Sequence, residues 1–548
     1  MTKFFFTCLM TCLCCPILGI GQTKTFTHED TLRGSITPER AWWDLTFYDL
    51  KLKVNPTDKS ISGSNTIHYS VLKSANKLQI DLQPPLSISS ISQDGKVLTY
   101  KKDGSNAYIV DLVAPQVVGS RKSITVAYSG VPKVAVHAPW DGGFSWSTDK
   151  LGNAFVATSC QGLGASVWWP CKDHMYDEVD SMAISVNVPK GFADISNGQL
   201  RRVTKGKKRS VTYEWFVKNQ INNYGVNVNI ARYVKFEEVY KGEKGDLALS
   251  YYVLPEDLAK AKEQFKQVPM MLKAFEHWFG PYPFYEDGYK LVQVPYLGME
   301  HQSSVTYGNG FKNGYLGSDL SGTGWGLKWD YIIVHESGHE WFANSITYKD
   351  IADMWIHEGF TDYSESLFVE YYYGKPAAAE YVRGLRKQIQ NFAPIIGKYD
   401  VNNEGSGDMY FKGANLLHTI RQIVNDDEKW RQILRGLNKD FYHQTVTTKQ
   451  IEDYMTDKAG IDLSKVFDQY LRNIEVPTLE YYFVNKTLFY RWTNCVEGFN
   501  MPIKVNLNAT ESVFLKSKKE WQSLETPLVD VDGFKVDVDF YVKSVRKN

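Results

Sequence analysis

Tyr331-Ile332-Ile333-Val334-His335-Glu336-Ser337-Gly338-His339-Glu340-Trp341-Phe342-Ala343, followed by Trp355-Ile356-His357-Glu358-Gly359-Phe360, decides how this chain is read. On a helix, positions four apart share a face, so His335 and His339 can turn imidazole nitrogens to one metal while Glu336 faces the same cavity. Two histidines leave a catalytic zinc site incomplete. It needs a third protein ligand and a position for water, and Glu358, after eighteen intervening residues, brings a carboxylate from a second helix. The flanks Tyr331 to Val334 and Trp341 to Ala343 make the first helix apolar nearly all round, which predicts that it is buried. Buried His and Glu side chains need partners, and one metal ion satisfies all of them together. A lone histidine on a helix is usually structural; the glutamate at this spacing moves the reading to a metal site.

The spacing, with Phe342-Ala343-Asn344-Ser345-Ile346-Thr347 leading to Trp355 and Glu358-Gly359-Phe360, resembles the gluzincin aminopeptidases, relatives of aminopeptidase N and of the leukotriene-converting hydrolase. Three further segments follow the same order. Ser159-Cys160-Gln161-Gly162 with Trp168-Trp169-Pro170-Cys171-Lys172-Asp173 resembles that family's glutamine-bearing strand and Phe-Pro-Cys-x-Asp segment. Tyr296-Leu297-Gly298-Met299-Glu300-His301 resembles its Gly-Ala-Met-Glu-Asn motif, and Tyr410-Phe411-Lys412-Gly413 its Tyr-x-Lys-Gly segment. The resemblance covers roughly residues 40 to 480.

It implies a zinc aminopeptidase acting on peptides with a free N-terminus, with one zinc ion per chain on His335, His339 and Glu358. Zinc in such a site acidifies its bound water to a pKa of about 7. Glu336, not a ligand, is placed to take the water's proton and hand it to the leaving amine. Tyr410 is the expected donor to the developing oxyanion, a contact worth roughly 3 kcal/mol by analogy with other such donors. Glu300 would pair with the substrate's α-ammonium and set the first peptide bond over the metal, Gln161 adding an acceptor, and Gly298, Met299 and His301 shaping the amine-binding loop. His301 stands where the family has Asn, and Leu297 and Gly298 where it has Gly and Ala, so the first substrate pocket departs from the pattern. Asp362, one helical turn after Glu358, is a second-layer candidate, since ligand histidines donate their other N–H to a carboxylate and thermolysin-like sites use an aspartate at this spacing.

Other readings stand beside this one. A thermolysin-type endopeptidase shares the ligands, but the resemblance implies no counterpart there of Glu300. Epoxide hydrolysis, which one relative performs, is compatible with the same metal and base. A peptide-binding scaffold on a dead peptidase fold would have lost a ligand or the base, and none is lost. Cobalt or manganese could support activity in the same ligand set.

At 548 residues the chain is long enough for several domains. Lys plus Arg and Asp plus Glu are 62 each, so no net field favours nucleic acid or an anionic membrane. Residues 1–21 read as a secretory signal: Lys3, an apolar run from Phe4 to Ile20 broken by Pro16, and small residues before Gln22. The run is short for a transmembrane helix, so a secreted or periplasmic protein with no membrane span in the mature chain is expected. A lipid-anchored form is disfavoured, because Leu9-Met10-Thr11-Cys12 fits a lipoprotein box poorly. Cys8, Cys12, Cys14 and Cys15 would leave with the signal, and Cys160, Cys171 and Cys495 are too few for a disulfide framework; Cys160 and Cys171 could pair in an oxidising compartment, with buried free thiols the favoured state.

The fold class expected is multidomain α+β. Residues 22–251 read as all-β, opening with the alternating run Trp42 to Val54 and a turn at Gly63; the resemblance makes this a saddle-like domain. Residues 252–475 read as a mainly α catalytic domain, thermolysin-like by the resemblance. Its helical period starts at Leu258, Ala261, Phe265, Val268 and Leu272, with Pro269 kinking or interrupting it, and helices are expected near 414–424, 430–438 and 448–459. Residues 476–548, after the boundary at Pro477, read as a small β-sandwich-like domain. Larger relatives continue into a helical domain that roofs the active site, whereas this sequence stops after the small β domain, so a cleft that is more open, or covered by a partner subunit, is expected.

Overall fold

Strand Trp43–Asn55 alternates buried and exposed side chains, as a half-buried strand must. In the computed structural model, which describes residues 25–206, 209–526 and 530–548, it is a central strand of an eight-stranded sheet. It pairs antiparallel with Ser60–Val71 and parallel with Ser181–Pro189. Gly63 is not the expected turn, which lies at residues 56–59; it sits inside the second strand opposite Leu52. A Cβ there would come within 1.9 Å of the Lys51 carbonyl oxygen, so close backbone approach, not turn geometry, requires the glycine. The buried face carries Trp43, Leu50, Ile67, Tyr69, Val126 and Ile184. A four-stranded sheet beside it contains Ala154–Ser159, whose chain runs directly on to Gln161.

The expected boundary at residues 251/252 falls inside a sheet. Strands Val234–Gly242 and Gly245–Val253 form a hairpin whose second strand pairs in parallel with Tyr289–Gln293, then Val305–Tyr307, with Gly298–Met299 at the edge. The hairpin therefore shares a sheet with strands from the region read as catalytic. Alternation along a strand reports a buried face but not which partner covers it.

Helices pack on the far side of that sheet. Leu258–Gln264 stops before Gln267–Phe279 begins, and Pro269 falls in the first turn of the second helix, where a missing N–H costs nothing. Tyr331–Gly338, Trp355–Tyr373, Phe411–Val424, Asp427–Asp440, Thr448–Ala459 and Ser464–Arg472 follow. From Thr478 the chain forms two small sheets, one of four strands and one of three. Cys160 and Cys171 are buried free thiols and Cys495 a half-buried one. The expected signal at 1–21, with its four cysteines, lies outside the described residues. No helix among the described residues is long and apolar enough to cross a membrane.

Candidate metal and substrate site

The metal-site helix is fixed at its start by Asp330, whose carboxylate accepts from the Ile332 and Ile333 N–H groups at 3.1 and 3.3 Å. Tyr307, Asn309 and Gln264 donate to the same carboxylate, tying the helix to the sheet and the preceding helix. Regular helix does not continue through Ala343 as the apolar flank implied. It ends at Gly338, and Phe342 and Ala343 leave helical geometry. This unwinding turns the Phe342 carbonyl back onto the His339 ring, 3.1 Å from Nδ1.

Both histidines are thereby set in one tautomer. His335 Nδ1 faces Glu365 Oε1 at 2.7 Å and His339 Nδ1 faces the Phe342 carbonyl, both acceptors, with the Thr361 hydroxyl 3.0 Å from the latter nitrogen, so the acceptors favour the proton on each Nδ1 and the lone pair on each Nε2. The two Nε2 atoms lie 3.7 and 3.4 Å from Glu358 Oε2. That oxygen is buried with no hydrogen-bond partner. Ligands about 2.0–2.1 Å from a tetrahedral ion sit about 3.3–3.4 Å apart, so the separations fit a zinc-sized cation. The charges fit too. Burial opposes a charge on His335, yet Glu358, Glu365 and Glu336 outweigh it and raise its pKa well above the ordinary value. A buried cluster that draws in positive charge is the environment a divalent cation satisfies.

The carboxylate behind His335 is Glu365, not the expected Asp362. Glu365 is fully buried, and its second oxygen accepts from Tyr381 Oη at 2.6 Å. Both Asp362 oxygens are buried without a hydrogen-bond partner, and burial raises that carboxyl's pKa well above the usual range. Seven residues on a helix are closer to whole turns than four, so Glu365 projects nearer to the Glu358 direction than Asp362 does, on a longer stem.

Helix Trp355–Tyr373 carries Glu358 to the ligand set because Gly359 lies against Gly413. A Cβ on Gly413 would come within 2.9 Å of the Gly359 Cα, so only glycines let the two helices approach this closely. That contact places Tyr410, which caps the second helix, with its ring stacked on His335 at 6.2 Å. Burial and the nearby Glu358, Glu300 and Glu336 raise the Tyr410 hydroxyl's pKa well above the ordinary value, so it stays a donor. Gly298 does the same work from the sheet edge: a Cβ there would meet Ile332 at 2.6 Å and the Glu336 stem at 3.3 Å.

Glu300 follows that edge strand and is buried beside the metal ligands. Gln161 Nε2 donates to Glu300 Oε1 at 2.5 Å and to Glu358 Oε1 at 3.0 Å. Asn344 Nδ2 donates to the Glu300 carbonyl at 2.9 Å. Glu300, Glu336 and His339 also bring ligand-type atoms within 4.8 Å of one another, so anchor, base and metal ligands share one chamber. Burial, with the neighbouring Glu358, raises the Glu300 pKa against the pull of His339. Met299 packs into the β-domain core. His301, expected to shape the amine-binding loop, turns Nδ1 to the Thr306 hydroxyl at 3.3 Å, and burial lowers its pKa to about 3, so it packs there as a neutral side chain. Glu365, Tyr381 and Thr361, the last 3.0 Å from His339 Nδ1, escaped the sequence reading; the seven-residue step from Glu358 was the signal for the first.

The Peptidase family M1 domain matches residues 263–470, and the Peptidase M1 N-terminal domain matches residues 45–224. The chain belongs to peptidase family M1. The family implies a zinc cofactor. Among curated relatives, "Probable aminopeptidase 1" of Saccharolobus solfataricus is 21% identical over 86% of this chain and 58% of its own length. "Endoplasmic reticulum aminopeptidase 1" of Homo sapiens is 23% identical over 61% of this chain and 36% of its own. "Aminopeptidase N" of Lactobacillus helveticus is 22% identical over 79% and 51%. The chain spans about half the length of the curated relatives it matches. A crystal structure of an M1 zinc metallopeptidase from Deinococcus radiodurans, bound to a Tyr-Ser-Ala substrate, superimposes with a TM-score of 0.66 at 19% identity, covering 80% of this chain and 96% of that one, and shows the same two-domain fold.

Proposed function

We propose that this M1 chain is a zinc-dependent aminopeptidase that hydrolyses the N-terminal peptide bond of peptides, with one ion held by His335, His339 and Glu358. The observation that carries the reading is the meeting of Glu300 and Gln161 beside that ligand set. A buried carboxylate is costly without a cationic partner, and a peptide's free α-ammonium provides one, whereas a blocked terminus or an internal segment does not. The names of its relatives point the same way.

Zinc, when bound, supplies Lewis acidity and an acidified water. Glu365 and the Phe342 carbonyl hold the two imidazoles with Nε2 toward the ligand position. Glu336, buried beside His339, would accept a proton from the attacking water and release it to the leaving amine. Tyr410 would donate a hydrogen bond from its hydroxyl to the carbonyl oxygen as negative charge builds there. Glu300 and Gln161 fix the amine, and with it the distance from the terminus to the bond that breaks. The leader-like residues 1–21 support action outside the cytoplasm, in the periplasm or the medium.

Fluorogenic aminoacyl amides with free and with acetylated N-termini, each with and without a zinc chelator, test the proposal. Chelator-sensitive cleavage of the free-amine set alone is expected. Equal cleavage of acetylated substrates would make the chain an endopeptidase, and no cleavage by zinc-loaded protein would remove the peptidase reading.

A further inference from the structure

We infer that residues 26–41, which precede both matched M1 domains, form the far wall of the pocket for the substrate's first side chain, with Arg33 setting its depth, so that the enzyme selects peptides beginning with small residues. This rests on the amine being held by Glu300 and Gln161. The first side chain leaves its Cα one bond from that amine, so it must enter the space beside those two groups. A cavity of about 30 Å³ there is lined by Gln161, Tyr224 and Tyr348 together with Arg33, Gly34 and Lys349.

That wall is built, not draped. The Arg33 guanidinium pairs with Asp173, whose carboxylate also accepts the Ser166 N–H at 3.1 Å. It lies flat over Gly164, where a Cβ would come within 2.0 Å of it. Arg40, fully buried, pairs with Asp81 at 2.7 Å and donates to the Leu32 and Ser35 carbonyls at 2.8 and 2.9 Å, which fixes the helix His28–Gly34 on the β domain. The same helix reaches the catalytic domain. Asn402 N–H donates to the Asp30 carbonyl at 3.2 Å, and Gly34 abuts Val401 so closely that a Cβ would come within 2.1 Å of its carbonyl carbon. With both domains gripping it, Arg33 cannot withdraw without breaking a buried ion pair.

A cavity this small favours a compact first side chain, a methyl or hydroxymethyl group, over an isobutyl group or a ring. Asp173 already neutralises Arg33, so this side chain offers no unpaired charge to an acidic first residue. The segment thus acts as a specificity element by limiting size.

The test compares kcat/KM for alanyl, seryl, leucyl and phenylalanyl amides. The wild-type chain should favour alanyl and seryl over leucyl and phenylalanyl by about tenfold or more, since one or two misfitting methylenes cost at least that much. A double variant, Arg33→Ala with Asp173→Asn, removes the wall without stranding a buried carboxylate, and the leucyl-to-alanyl ratio should rise about tenfold, chiefly through KM. A wild-type preference for leucyl or phenylalanyl overturns the inference, as does an unmoved ratio in the folded double variant. If the variant does not fold, the wild-type panel decides alone. Failure to cleave any free-amine amide would instead overturn the aminopeptidase reading, and this inference with it.

Discussion

Replacing Glu365 should weaken zinc binding without touching a ligand. Its carboxylate takes the His335 Nδ1 proton at 2.7 Å and the Tyr381 hydroxyl at 2.6 Å, with no exposure to solvent. A charge-assisted buried hydrogen bond is worth roughly 1.5–3 kcal/mol, and loss of an outer partner of a metal-bound histidine typically costs about 10–100-fold in affinity or activity. Glu365→Gln keeps one acceptor for the imidazole but loses the charge, so about a tenfold loss of zinc affinity is expected. Glu365→Ala also leaves the imidazole and Tyr381 donors unpaired, so about a hundredfold loss is expected. Competition against a chromophoric chelator reads these values directly, with thermal melts to show that each apo variant is folded. Asp362→Asn is the control: neither Asp362 oxygen has a partner to lose, so affinity should stay within about threefold. The assignment is refuted if Asp362→Asn weakens zinc more than Glu365→Gln does.

Tyr410→Phe should lower kcat by about a hundredfold with little change in KM, because the hydroxyl acts where charge develops; a KM effect alone would assign it to ground-state binding. Glu300→Gln should raise KM for free-amine amides by tenfold or more and narrow the gap to acetylated ones, measured by initial rates; an unchanged gap would show that the amine is held elsewhere. Burial pushes the Glu178 carboxyl from 4.5 up to about 8. A carboxyl whose folded pKa is raised contributes stability that is complete below its unfolded pKa and is lost as pH climbs through its folded pKa, here between about 4.5 and 8. Glu178→Gln should therefore match the wild type near pH 4.5 and exceed it at pH 8 by on the order of 3–5 kcal/mol in urea unfolding; an offset independent of pH would contradict this.

The ligand set was legible because a helix fixes what lies four residues apart: His335, Glu336 and His339 needed no tertiary knowledge. Glu365 was not, since Asp362 and Glu365 both lie on the Glu358 side of one helix, and reach across to His335 depends on how two helices pack. The hairpin Val234–Val253 read as β domain because strands announce their alternation, not their neighbours, and its partner Tyr289–Gln293 lies far along the chain. The helix running past His339 was overestimated for a related reason. Phe342 and Ala343 are apolar enough to continue it, but the His339 ring needs an acceptor that an intact helix would withhold. The Arg33 wall left no trace in the sequence, because its partners Asp173, Gly164 and Val401 are scattered over two domains.

Glu336 is the proposed base of a zinc-bound site acting on the first bond of a free-amine peptide. Single-turnover hydrolysis of an alanyl peptide by zinc-loaded Glu336→Gln, with zinc content and peptide binding measured on the same sample, tests it most directly. The account predicts about one zinc per chain, peptide affinity near that of the wild type, and hydrolysis slower by at least about a thousandfold. Hydrolysis within tenfold of the wild type by that zinc-loaded variant would contradict it.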